Sequence, residues 1–144
     1  MKFYEVSMDK KAVVVRMDRD DEVISSLELL VGKLGIESGF FYGIGAVKDV
    51  VISYFDLQSK SYIDKEMKEE LEVVSLIGNI SYIYGESKPV IHAHISLSDR
   101  EMRLFGGHLK RAVVSVTLEV VIFTISDRIE RVKDNDFGLF LWKP

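Results

Sequence analysis

The stretch PVIHAHISL, at residues 89–97, decides the fold because its apolar and polar side chains alternate. Successive side chains of an extended strand point to opposite faces of a sheet, so the pattern predicts a half-buried strand over residues 90–97. The apolar members fall at every second position, at Ile91, Ala93, Ile95 and Leu97. His92 and His94 therefore share the opposite face. Pro89 can open the strand because the first position tolerates its missing N–H.

Further strands are predicted on both sides of this one, from runs of β-branched and aromatic residues. They cover residues 3–8, 11–17, 39–47, 50–57, 60–67, 70–83, 112–125 and 137–142. The first two form a hairpin around a turn at Asp9 and Lys10. The polar run at 60–67 is typical of an edge strand. Gly43 and Gly45 indicate a bulge or a close backbone approach.

One helix is predicted at residues 20–34, where apolar side chains recur at helical spacing. They are Val23, Ile24, Leu27, Leu30, Val31 and Leu34. Asp18 or Asp20 can cap the first turn, and Gly35 can end the last. One helix followed by many antiparallel strands predicts a single α+β domain over residues 1–144, with the helix packed on a curved sheet.

The composition limits the possible functions. The chain has 144 residues, 47% of them apolar, which is enough for one domain with its own core. The absence of cysteine excludes disulfides, thiolate metal sites and cysteine nucleophiles. The first residues do not resemble a signal peptide and no apolar run approaches transmembrane length, so we expect a cytoplasmic protein outside membranes. The net charge of −4 does not favour nucleic acid as a partner, although a local basic patch could still form on an oligomer.

The three histidines of the chain, His92, His94 and His108, all fall within a short segment. An H-x-H pair on one strand face places two imidazoles where one metal ion can bridge them. Gly106 and Gly107 can form a turn that brings His108 to the pair. Three neutral imidazoles with water in the fourth position are typical of an open zinc site. The alternative is a polar or pH-sensitive histidine cluster.

Glu119 is a second candidate site residue. It is predicted to share a strand face with Ser115 and Thr117, in the apolar run 112–125. A buried carboxylate needs a partner or a metal ion. Glu119 could therefore be a fourth ligand, a hydrogen-bond acceptor for a ligating histidine, or a catalytic base. The alternative is a solvated glutamate on the outside of the sheet.

Several segments together resemble the PPC domain, the "plants and prokaryotes conserved" domain. The resemblance covers nearly the whole chain, in order. It is carried by the segments at residues 38–40, 43–46, 76–80, 89–99, 106–109 and 119–122. The H-x-H pair and the sequence Gly-Gly-His-Leu at 106–109 are its most specific motifs.

The resemblance implies an antiparallel sheet of about seven strands with one flanking helix, and a homotrimer. It also implies a divalent metal site, usually zinc, on the residues that match the family's histidines: His92, His94 and His108. The same fold group is similar to acetolactate decarboxylase, a zinc enzyme with three histidine ligands. Plant members carry an Arg-Gly-Arg-Pro segment that enters the DNA minor groove, and this sequence lacks it.

Two functions follow as expectations. The first is a homotrimeric protein with a non-catalytic or regulatory role, DNA-associated by the family's label, in which the metal is structural or the histidines bind a partner. The second is a metal-dependent enzyme of lyase or hydrolase type acting on a small polar or carboxylated molecule. In the second, Glu119 would act as the base, and Arg103 or Lys110 could hold an anionic substrate. Both cations could equally be ordinary solvated side chains.

Overall fold

The computed structural model describes residues 1–6 and 12–143, so the turn predicted at Asp9 and Lys10 lies outside the described residues. The described part contains one helix and nine strands. In chain order they are β1 Lys2–Val6, β2 Ala12–Asp18, α1 Val23–Leu34, β3 Ser38–Asp56, β4 Ser61–Met67, β5 Leu71–Ile83, β6 Pro89–Ser98, β7 Leu104–Ile125, β8 Glu130–Lys133 and β9 Phe140–Trp142. No described helix is long and apolar enough to cross a membrane.

All nine strands belong to one sheet, with the path β1-β2-β7-β3-β5-β8-β9. Strand β4 pairs with β3, and β6 pairs with both β5 and β7. The pairs β3–β5, β5–β6, β6–β7 and β7–β3 close a circuit, so the sheet curves strongly around its core. The predicted α+β class is confirmed. The sheet is mixed rather than wholly antiparallel, because the short β8 runs parallel to β5.

The predicted strand boundaries were wrong at β3 and at β7. The two strands predicted at residues 39–47 and 50–57 form one continuous strand, β3, which ends at Asp56 and whose register shifts near Gly45 against both neighbours. A Cβ at Gly45 would overlap the carbonyl oxygen of Thr117, which confirms the close approach predicted there. Strand β7 begins at Leu104 rather than at 112, so Gly106 and Gly107 lie inside a strand and not in a turn.

The helix begins at Val23, later than predicted, and neither Asp18 nor Asp20 caps it. The side chain of Glu22 does so, accepting hydrogen bonds from the backbone N–H groups of Ile24 (3.2 Å) and Ser25 (2.7 Å). Asp18 still belongs to β2, and Asp20 has a left-handed φ of 70°. Gly35 ends the helix as predicted, in the left-handed conformation with φ 63°.

The core lies between the helix and the curved sheet. Helix α1 buries Val23, Leu27, Leu30 and Val31 and packs on β6 and β7. The apolar residues of β6 are buried against it, as the alternation predicted: Ile91, Ala93, Ile95 and Leu97. His92 and His94 consequently stand on the opposite side of β6, which we call the outer face.

Candidate metal centre

The three histidines meet on the outer face across two adjacent strands. His94 of β6 lies directly opposite His108 of β7, and His92 is two positions before His94 on β6. The ring centroids are 5.4 Å apart for His92–His94, 5.2 Å for His92–His108 and 5.6 Å for His94–His108. One ring nitrogen from each lies within 4.8 Å of the others. This spacing suits three nitrogens around one ion.

His108 reaches this position because of the two glycines before it. Gly106 pairs with Ser96 of β6, and a Cβ on Gly106 would overlap the carbonyl oxygen of Ile95. A Cβ on Gly107 would lie 2.9 Å from the carbonyl oxygen of Ser53 in β3. The glycines thus let β7 approach the strands on both of its sides. Their role is this close approach and not the turn that the sequence predicted.

Strand β4 supports one side of the cluster. The ring of Tyr62 stacks on His108 with centroids 5.1 Å apart. Asp64 accepts hydrogen bonds at 2.7 Å from both the Ser53 hydroxyl and the Lys110 ammonium group. The bond from Lys110 is the main reason why the pKa of Asp64 is lowered, so this carboxylate stays charged. The charge of Lys110 is therefore already balanced by Asp64, and this lysine does not offer a free positive charge to an anionic ligand.

The other side of the cluster is formed by Arg131 of β8. Its side chain is only 6% exposed. Its guanidinium donates to Ser81 Oγ (2.6 Å) and to Asn79 Oδ1 (2.8 Å), and it lies 3.3 Å from His92 Nδ1. The last contact places the positive charge of Arg131 directly beside the His92 ring.

Burial keeps His92 and His108 neutral. It lowers the pKa of His92 to about 4, and the positive charge of Arg131 beside the ring adds to the effect. Burial also lowers the pKa of His108, and the neighbouring His94 adds to this effect. Both imidazoles are uncharged near neutral pH, which is the state that binds a metal ion.

The residues present fit a zinc-like ion. His108 Nδ1 is buried and has no hydrogen-bond partner among the described residues, which is costly unless a ligand completes it. Within the described ranges, the group that could hold a metal consists of these three histidines alone. Three imidazoles without a fourth protein ligand leave one coordination position open, as in catalytic zinc sites.

A cavity of about 280 Å³ opens beside His92 and His108. Its lining includes the polar residues His92, His108, Tyr62 and Arg131, and most of the remaining lining residues are aliphatic. A small molecule in the cavity would therefore lie beside His92, His108 and Arg131.

The structure does not bring Glu119 to the histidines. Glu119 is exposed and lies eleven positions after His108 on β7, or roughly 36 Å along an extended strand. The face that Glu119 was predicted to share with Ser115 and Thr117 is interrupted at Ser115. Ser115 is buried and Val116 is 69% exposed, because the register between β7 and β3 shifts around them. Glu119 thus belongs to the opposite end of the sheet, beside Ile44.

Arg103, the other predicted anion-binding residue, pairs with Asp99 at 2.7 Å and with Glu101 at 3.2 Å. Arg103 is thus a solvated cation whose charge is balanced by carboxylates, as the charge of Lys110 is balanced by Asp64.

Sequence reasoning missed Arg131 and Tyr62. The run around Arg131 is short and charged, so nothing in its pattern separates a buried arginine from a surface one.

The sequence matches the Plants and Prokaryotes Conserved (PCC) domain over residues 4–126. No curated protein matches the chain. A metal-containing protein from Archaeoglobus fulgidus is 36% identical, with a TM-score of 0.85 over 93% of this chain and 94% of that one. A plant- and prokaryote-conserved protein from Pyrococcus horikoshii is 34% identical, with a TM-score of 0.83 over 92% and 91%. A proposed DNA-binding protein from Bacteroides thetaiotaomicron is 27% identical, with a TM-score of 0.92 over 99% and 96%.

A more distant likeness concerns the fold alone. Acetolactate decarboxylase from Bacillus subtilis is 17% identical, with a TM-score of 0.52 over 86% of this chain and 57% of the enzyme. The predicted fold group is thereby confirmed. At this identity the likeness carries no statement about activity.

Proposed function

We propose that this chain, which belongs to the PPC domain family, holds one divalent metal ion, zinc, on His92, His94 and His108. The observation that carries the proposal is the convergence of three ring nitrogens within 4.8 Å on the outer face. The buried Nδ1 of His108, which has no hydrogen-bond partner in the described part of the chain, and the neutral state of His92 support it. The similar protein from Archaeoglobus fulgidus is itself described as metal-containing.

Elemental analysis tests this centre. Untagged protein, washed with chelator, reloaded with zinc and freed of excess ion, should retain one zinc per chain. His92→Ala should retain almost none, whereas the matched control Glu119→Gln, a change at an exposed site far along β7, should retain the wild-type amount. Wild-type zinc content in His92→Ala would contradict the proposal.

We further propose that the protein is a homotrimer assembled through the outer face. Large apolar side chains are exposed there on adjacent strands: Phe40 (49%), Tyr42 (50%), Ile44 (58%) and Ile77 (59%). Ile77 lies directly opposite His94, so this apolar patch adjoins the histidine strand. Such a patch on one face is typical of a subunit interface. The mass in solution tests it, with Ile77→Asp expected to lower that mass.

A metal-dependent enzyme is the second candidate, and the open coordination position beside a cavity favours it. A bound zinc ion would supply Lewis-acid polarisation of a carbonyl or activation of a water molecule. The chain's own residues would exclude solvent with aliphatic walls and orient a ligand with Arg131 and Tyr62. We assign no role to Glu119, because it reaches none of the histidines within its own chain.

DNA binding is the weakest candidate. It is the description given to the Bacteroides thetaiotaomicron protein. Here the net charge is −4, and Lys48, Arg103 and Lys110 are each paired with a carboxylate. Binding that depends on phosphate contacts would fall steeply with salt. We therefore expect no salt-dependent affinity for DNA.

The cytoplasmic location expected from the sequence remains a prediction.

A further inference from the structure

The buried Arg131 carries a charge that nothing in the described part of the chain neutralises. Its recorded partners are all neutral: Ser81 Oγ, Asn79 Oδ1, the ring of His92 and the carbonyl oxygen of Phe140 at 2.9 Å. No ion pair joins it to any carboxylate of residues 1–6 or 12–143. A buried cation without a counter-charge costs several kcal/mol, so an unpaired arginine in this position indicates a missing anion.

The hydrogen bonds of Arg131 leave room for that anion. A guanidinium has five N–H groups, and the four contacts use at most four of them. Within the described residues one Nη1 hydrogen therefore lacks an acceptor. The contact with His92 Nδ1, at 3.3 Å, is the longest of the four and the easiest to exchange. One hydrogen on Nη1 and one on Nη2 can thus become available to a carboxylate, whose two oxygens can accept one each.

The volume and the walls of the cavity beside Arg131 indicate which ligand body can accompany the anionic group. It is at the small end for a binding pocket, at about 280 Å³. Ile83, Val90, Leu139 and Leu141 form its walls, and these side chains offer no hydrogen bonds to a second polar group. A phosphate group would leave oxygens unpaired against such walls, whereas a carboxylate needs only the arginine.

We propose that Arg131 binds the carboxylate of a small organic acid whose apolar body occupies the cavity beside the three histidines. The inference names a ligand class for the proposed metal centre and in that sense rests on it. Arg131 acts here as a binding residue, and Tyr62 and the aliphatic walls enclose the body of the acid.

The test uses butyrate, ¹³C-labelled at the carboxyl carbon, and its neutral isostere butyramide. Each is titrated into the zinc-loaded full chain at millimolar concentrations, with NMR shifts as the readout. Butyrate should bind one per chain and at least about tenfold more tightly than butyramide, which is the usual value of one charge-assisted hydrogen bond. Arg131→Met should lose this preference, and Arg103→Met, which removes a cation outside the cavity, should keep it.

Equal binding of butyrate and butyramide would overturn the inference, as would the absence of butyrate binding or tighter binding of inorganic phosphate. If Arg131→Met does not fold, the comparison of butyrate with butyramide is repeated on the chelator-treated wild-type chain, where no zinc ion can attract the carboxylate; a preference for butyrate there supports the inference, and equal binding overturns it. Zinc content is measured on each sample. Zinc retained without any preference for butyrate overturns the anion site alone. If the chain retains no zinc after loading but binds butyrate in a way that depends on Arg131, the metal centre is overturned and the anion site stands.

Discussion

His94 and His108 are directly opposite each other across the pair of strands β6 and β7. Their rings, 5.6 Å apart, are brought together by backbone pairing and not by a loop. The register that aligns them continues through Gly107 opposite Ile95 and Gly106 opposite Ser96. The geometry of the candidate metal centre is therefore part of the sheet itself, and a change in the pairing of β6 with β7 should change it.

Gly106→Ala should both destabilise the protein and weaken metal binding. The new Cβ would overlap the backbone carbonyl of Ile95, which can move only with the strand. We expect the free energy of unfolding to fall by about 1–3 kcal/mol, the usual cost of forcing extra atoms into a packed site. Urea denaturation and zinc titration measure the two effects.

Gly32→Ala is the matched control for that substitution. Gly32 lies in the helix with nothing within 4 Å of an added Cβ, so alanine should stabilise the protein slightly, by about 0.5–1 kcal/mol. If Gly106→Ala left both stability and zinc affinity unchanged, the close approach of β7 to β6 would not determine the site.

The sequence predicted the shared face of His92 and His94 better than it predicted the chain connections around them. The period of two at residues 90–97 is a local property, so the shared face of His92 and His94 could be read from the sequence alone. The role of Gly106 could not, since a glycine pair fits a turn and a close strand pair equally well. Arg131 was beyond reach for another reason: its burial depends on the short parallel strand β8, a long-range pairing with no sequence period.

Glu22→Ala should lower the stability of the helix end. The Glu22 carboxylate accepts hydrogen bonds from Ile24 and Ser25 and also from the backbone N–H of Ala112 (3.3 Å) in β7. Its removal should cost about 1 kcal/mol, as for other N-cap residues. Asp20→Asn, at one of the two positions that the sequence suggested as the cap, should cost less, because asparagine tolerates the left-handed backbone. Chemical denaturation of both variants compares them. A larger loss in Asp20→Asn would contradict the assignment of the cap.

Zinc should raise the melting temperature of the wild-type chain, and a chelator should lower it again. A ligand that binds only the folded state stabilises it by about 4 kcal/mol when present at about a thousand times its Kd. His108→Gln, which removes the ligand with the unpartnered Nδ1, should show little response to zinc. Glu119→Gln should respond like the wild type. A wild-type melting temperature that is indifferent to zinc would contradict the proposed centre.

The metal-free protein should lose stability as the pH falls from 6.5 towards 5, partly because of His92. Burial lowers the folded-state pKa of His92 to about 4, from an ordinary value of 6.5. Between these values the unfolded chain binds a proton that the folded chain does not, so acidification favours the unfolded state. The loss due to this residue is at most about 2 kcal/mol down to about pH 5, since one pKa unit corresponds to about 1.4 kcal/mol. Urea denaturation with chelator present measures it, and His92→Gln should show a shallower dependence on pH than the wild type. An equal slope in the two proteins would mean that the His92 ring is hydrated enough in the folded state to take up its proton near the ordinary pKa.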